Sequence, residues 1–206
     1  MANETLLQTG KLLTVSSHYS ARDPDQVHAG ERRPAHQKTE QGDDYLQINP
    51  KGMVPALALD DGTILTETIA IAMYLADKAP QYNLIAPSST IHHYRAIEWL
   101  AYISTELHKS FSPLFRPGTP ELYKDLLKSY LEQRFRYLNQ VLSEHDYLVG
   151  NRFGVADAYL FTICRWAHDL KFDLIQFPAL TAYLERVSGR PAVEKALTAE
   201  GLDVKY

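Results

Sequence analysis

From Ile91 onward the chain carries no strand pattern, which leaves helices as the building blocks of its longer part. Apolar residues return at three- and four-residue spacing through Ile97, Leu100, Ile103 and Leu107 in a segment running from Ile91 to about Ser112. They return again through Leu122, Leu126, Tyr130, Phe135, Leu138 and Leu142, behind a Pro120 suited to the first turn of a helix. Val155 to Leu170 is so apolar that it reads as a helix buried on most sides. Pro178 to Val187 and Pro191 to Ala199 are two shorter helices, each opened by proline and separated by Gly189. More than half of the 206 residues therefore belong to an all-helical unit.

Upstream the period changes. Met53-Val-Pro-Ala-Leu-Ala-Leu59 is short, apolar and strand-like, and Asp61-Gly62 is a hairpin signal leading into Thr63-Ile-Leu65. Thr66 or Thr68 is positioned to cap a following helix that turns Ile69, Met73, Ala72 and Ala76 inward and stops at Pro80. The boundaries expected are an anomalous stretch over 1–37, a small α/β unit over 38–82, a linker over 83–90 and the helical domain over 91–206.

With 45% hydrophobic residues the chain can bury a core, which excludes a disordered protein. A net charge of -4 speaks against a nucleic-acid partner, and no apolar run is long enough to span a membrane. A single cysteine forms no internal disulfide, so the expected compartment is the cytoplasm. No set of metal-ligating residues stands out; His92 and His93 are adjacent and point apart on a helix.

Two motifs, Asn49-Pro-Lys-Gly-Met-Val-Pro-Ala-Leu57 and Leu65-Thr-Glu-Thr-Ile-Ala-Ile71, resemble those of glutathione S-transferases. Ile97-Glu-Trp-Leu100, Thr105-Glu-Leu-His-Lys109, Ser112-Pro-Leu-Phe115 and Val155-Ala-Asp-Ala-Tyr-Leu-Phe161 narrow the resemblance to the bacterial beta class, over Lys38 to Tyr206. It implies a thioredoxin-like α/β domain followed by an all-α domain. It implies a transferase that joins the glutathione thiolate to small electrophiles, with thiol-disulfide exchange as an accompanying activity. No cofactor follows beyond glutathione as co-substrate, and the class implies a homodimer, pairing through the helix of Glu98, Trp99 and Tyr102.

The same resemblance assigns roles to residues. Val54-Pro55 would be a cis bond exposing the Val54 backbone to the cysteinyl part of glutathione, which pairs with it like an added strand. Thr68 and the free N–H groups of its helix would take the γ-glutamyl carboxylate, and Glu67 the ligand's ammonium. Alone, Glu67-Thr68 reads as a helix cap; beside Val54-Pro55 it reads as an anchor. His108 would lie near the sulfur, with Thr105, Glu106 and Lys109 reaching glutathione, some of them across a dimer interface; outside that context His108 reads as a packed or solvated residue. Ala101 stands where the class usually has an asparagine on the ligand, and Gly154 where it has a Ser or Thr cap opposite Asp157. Cys164, among Phe161, Ile163 and Trp166, reads as a buried structural thiol, and the tyrosines read mainly as packing.

Residues 3–37 depart from the class. Its leading β-α-β unit, with a catalytic cysteine at the first helix, has no counterpart here. Read one base later, however, Asn3 as AAT before the G of Glu4 gives ATG, and Leu12 as CTG before the C of Leu13 gives TGC, a cysteine codon. The shifted frame from Asn3 to His18 is compatible with a beta-class N-terminus, and from Val27 to Gln37 it runs into Lys38. A single-base insertion or deletion near codon 37 accounts for this. The chain as written has an alternative reading, a catalytically impaired glutathione-binding or interaction module.

Overall fold

The computed structural model describes residues 44–203. The shifted frame over 3–37, the missing leading unit and the boundary at 37/38 lie outside the described residues. The first element is a single helical turn, α1 (Tyr45–Ile48), capped by the Asp44 carboxylate on the Leu46 N–H. Strands β1 (Ala56–Ala58) and β2 (Ile64–Thr66) then form an antiparallel hairpin in the register Ala56–Thr66, Leu57–Leu65, Ala58–Ile64. Asp61-Gly62 makes the turn as expected: Gly62 has φ +83°, and the Asp61 carboxylate accepts from Thr63 N–H. The strands are shorter than the apolar runs that announced them, because Pro55 removes a ladder donor at one end.

Helix α2 (Thr68–Lys78) follows β2 directly. Its buried side is Ile71, Ala72, Leu75 and Ala76, while Ile69 and Met73 are only partly covered, so the inward face is rotated from the expected one. Neither Thr66 nor Thr68 caps it. The N-cap is Glu67, which makes no capping bond, and the Thr66 hydroxyl is bonded to Lys51 instead. The connection to the helical half is pinned by His93, whose Nδ1 lies 2.8 Å from the Ala86 carbonyl.

The helical half comprises α3 (Ile91–Tyr102), α4 (Glu121–Leu142), α5 (Val155–Asp169), α6 (Pro178–Ser188) and α7 (Pro191–Glu200). The long segment expected through Ser112 is not one uniform helix. After Tyr102 it widens into a π-helical stretch, Ile103–His108, closes with an α-helical turn, Lys109–Phe111, and ends in a 3₁₀ turn, Ser112–Phe115. Pro120 is the N-cap of α4 rather than a first-turn residue.

The core is built on α5, buried from Val155 to Cys164 with Trp166 and Ala167, as its composition foretold. Around it close Leu100, Ile103, Leu107 and Phe111, the α4 residues Leu131, Phe135, Leu138 and Leu142, and Leu180, Tyr183 and Leu184 of α6. Each such side chain contributes about 1.5–3 kcal/mol of transfer free energy. Leu122 and Leu126 keep the helical spacing but stand 75% and 61% exposed.

The first turn of α5 is held by Asp157. Its carboxylate accepts from Gly154 N–H at 2.9 Å, Leu148 N–H at 3.0 Å and the Tyr183 hydroxyl at 3.1 Å. Gly154 is the N-cap, as read from sequence. A Cβ there would meet the Leu84 carbonyl oxygen at 2.8 Å, and that oxygen already accepts from Val155 N–H. The close approach of the two chain segments leaves no room for the Ser or Thr usual in the class.

Candidate functional site

The segment ahead of Pro55 is shaped by Asn49, a buried amide whose Oδ1 accepts from Lys51 N–H at 3.1 Å and whose Nδ2 donates to the Met53 carbonyl at 2.6 Å. Tyr45 donates its hydroxyl to the same carbonyl, and Gly52 takes φ +58°, which a side chain would resist. This explains why the motif begins Asn-Pro-Lys-Gly. It delivers Val54, 40% exposed, into a cis bond with Pro55, as expected. Among the described residues the Val54 N–H and C=O have no hydrogen-bond partner. An extended ligand can therefore pair there.

Beyond the hairpin, the chain enters α2 through Glu67, whose φ is +74°. Ile71 N–H is the first to bond back within the helix, so the N–H groups of Thr68, Ile69 and Ala70 are left without partners among the described residues. They sit at the positive end of the helix dipole, beside the Thr68 hydroxyl, where an anion is favoured. The Glu67 carboxylate lies 2.7 Å from the Lys51 ammonium, which also donates to the Thr66 hydroxyl at 3.0 Å. Sequence reasoning missed Lys51, because nothing in its spacing marks a partner sixteen residues away.

The π-helical stretch carries the remaining predicted residues. Lys109 N–H donates to the Ser104 carbonyl, five residues back, and this wider turn spreads the side chains over different faces. Thr105 is exposed and bonds the Ala101 carbonyl at 3.1 Å. Glu106 faces α4, where it accepts from the Tyr130 hydroxyl and from Arg134 at 3.0 Å; these bonds hold its carboxyl below the usual range. The Arg134 guanidinium also stacks on the Tyr130 ring at 3.6 Å. Lys109 is exposed at the end of the stretch.

His108 faces the opposite way, toward α5. Its Nδ1 is 2.6 Å from the Tyr159 hydroxyl, and its ring meets Trp166 edge-on with centroids 4.8 Å apart. Burial, with a smaller push from Lys109, lowers its pKa to about 4, so the ring is neutral at pH 7. Tyr159 is thus more than packing, which corrects the expectation for the tyrosines. Burial raises the Tyr159 phenol to about 12.

The two halves meet where α2 packs on α5. The Glu67 carboxylate is near enough to act on the Tyr159 phenol electrostatically, so the γ-glutamyl end of the expected site and the His108 face share one region. Val54 and Pro55 precede the hairpin that leads into Glu67 and Thr68, and His108 lies against α5. Glu106 turns to α4, away from His108, and is not brought into that region within a single chain. Cys164 is fully enclosed, and burial drives its thiol pKa up, so it is no nucleophile. Among the described residues no group of three His, Cys, Asp or Glu side chains is gathered, and no helix is long and apolar enough to cross a membrane.

Comparison with known proteins matches residues 24–78 to the glutathione S-transferase N-terminal domain and residues 96–191 to the glutathione S-transferase C-terminal domain. Glutathione S-transferase GstA of Escherichia coli O157:H7 is 52% identical over 165 residues, covering 80% of this chain and 82% of that protein. Two solved structures superpose with TM-score 0.78 at 40% identity, each covering 82% of this chain and 84% of theirs. One is a sphingomonad glutathione S-transferase complexed with glutathione, the other the bacterial beta-class enzyme of Sphingomonas chungbukensis.

Proposed function

The chain belongs to the glutathione S-transferase family, in its beta class, and from that premise we propose how its residues bind glutathione and conjugate it to small electrophiles. The observation that carries the proposal is the pairing of an accessible, unpartnered Val54 backbone at a cis Pro55 with the open N-terminus of α2. Glutathione lies extended along Val54 with its cysteinyl amide in hydrogen-bond register. Its γ-glutamyl carboxylate takes the N–H groups and hydroxyl at Thr68. Its ammonium shares the Glu67 carboxylate that Lys51 now holds.

The sulfur then falls on the His108 side of the cleft. The reaction is attack of the thiolate on an electrophilic carbon, with expulsion of the leaving group. Orientation supplies much of the acceleration, and a donor at the sulfur favours thiolate over thiol. Lys109 adds a cation at the same end. Because Cys164 is enclosed, the nucleophile is the ligand's own thiol, and disulfide exchange does not run through Cys164.

Glu106 and Thr105 reach glutathione held by a second copy. Near the π stretch the half-buried rings of Trp99 and Tyr102 pack with the exposed Tyr137, 5.6–5.9 Å apart, in a band on the side of α4 that also exposes Leu126 and Leu122. Such a band is what a homodimer covers. The division into 38–82 and 91–206 joined by 83–90 and a cytoplasmic location complete the reading. The test is a conjugation assay with a generic aromatic electrophile beside retention on immobilised glutathione. Retention with turnover is the expected result; retention without turnover would favour the impaired binding module, and neither would reject the site.

A further inference from the structure

The Lys51 ammonium reaches two groups from a later part of the chain, Glu67 Oε1 at 2.7 Å and the Thr66 hydroxyl at 3.0 Å. Its backbone is fixed for this reach: Lys51 N–H donates to Asn49 Oδ1 at 3.1 Å, in the same turn that presents Val54. The receiving side is fixed as well. Thr66 is paired with Ala56 in the β1–β2 ladder, and Glu67 stands at φ +74° where α2 begins. Only one carboxylate oxygen is engaged. Glu67 Oε2 has no hydrogen-bond or ion-pair partner among the described residues, so it is the oxygen open to a ligand's ammonium. The chain thus already holds a cation on the carboxylate that the ammonium of glutathione is to use. Two cations on one carboxylate repel each other, whereas an anionic group beside Lys51 is attracted.

We propose that Lys51 is a specificity-determining residue. By balancing the Glu67 charge before any ligand arrives, it relaxes the site's demand for an α-ammonium, so that thiol peptides whose head bears a carboxylate but no ammonium bind beside glutathione. Without Lys51, such a peptide would bring its carboxylate to Thr68 next to an unbalanced Glu67. With Lys51 in place that repulsion is cancelled within the chain, and glutathione in turn gains less from Glu67 than it would from a free carboxylate. The Lys51 and Glu67 side chains are 55% and 67% exposed, so water screens the pair and the effect is several-fold rather than thousand-fold. This deepens the proposed reading of the glutathione site and rests on it for the placement of the γ-glutamyl head.

Binding calorimetry of the full chain with two ligands tests this: glutathione, and its deamino analogue, in which a glutaryl group replaces the γ-glutamyl head. The quantity read is the ratio of the two Kd values, analogue over glutathione, in wild type, Lys51→Met and Lys51→Arg. Lys51→Met is expected to raise the ratio about five-fold, whereas Lys51→Arg, which keeps the cation, should leave it at the wild-type value. The rise should shrink at high salt, because it comes from charges in water. An unchanged or lower ratio in Lys51→Met would overturn the proposal; both ligands weakening alike is what a mere strut between the turn and β2 would give. A rise that Lys51→Arg shares, or that persists at high salt, would also contradict it. Glutathione binding with an unaltered ratio would reject the role of Lys51 alone, whereas a wild-type chain that binds neither ligand would reject the glutathione reading and this proposal with it.

Discussion

Glu67 and His108 are the residues at which charge decides the outcome. His108 is held neutral with a pKa near 4 against 6.5 in the unfolded chain, so protonation is resisted in the folded state. Between those values the unfolded chain binds more protons, and stability is lost as pH falls, up to about 3 kcal/mol. Asp157 runs the other way: burial raises its pKa from 3.8 to about 6, and the folded chain gains relative stability as pH falls through that window. The two trends offset each other in wild type. His108→Gln removes the first, so the variant's urea unfolding free energy should improve relative to wild type by about 2–3 kcal/mol between pH 7 and pH 4.5. A difference that does not change with pH would show that His108 is not desolvated. At this scale the sequence motifs point to Val54, Thr68 and His108, since each is tied to neighbours a few positions away. It was silent on Lys51, Tyr159, Tyr130 and Arg134, whose partners lie from sixteen to fifty-one residues off and are brought near by tertiary packing.

Among the elements, helices were legible because their apolar spacing survives any packing, and α5 declared its own burial. Their faces were less so. On α2 the buried side is set by contact with α5, and on α4 the spaced leucines Leu122 and Leu126 belong to the outer surface. The π widening at Ile103–His108 left no trace in composition, because it depends on which side chains must reach α4 and α5 at once. The start of α5 yields a prediction. Gly154 sits against the Leu84 carbonyl, so Gly154→Ala should cost about 1–3 kcal/mol in chemical denaturation even though alanine is the better helix former. Unchanged stability would mean that the segment at Leu84 yields freely.

Across the molecule, the proposed homodimer covers the exposed Tyr137, Leu126 and Leu122 of α4 and completes the proposed glutathione site through Glu106. Leu126→Glu places a charge in the middle of that surface and should shift sedimentation from a dimer toward the 23.4 kDa monomer, with conjugation falling in step because Glu106 no longer reaches a neighbouring site. A wild-type chain that sediments as a monomer and still conjugates would remove the dimer from the account. The proposed site stands on the Val54 edge and the α2 N-terminus receiving glutathione together, and titration calorimetry of the full chain measures that binding. Wild type should bind one glutathione per chain, and Glu67→Gln should weaken binding about ten- to hundred-fold, the loss expected for a charged hydrogen bond, with the melting temperature little changed. Equal affinity in the two proteins, or no binding heat in wild type, would contradict it.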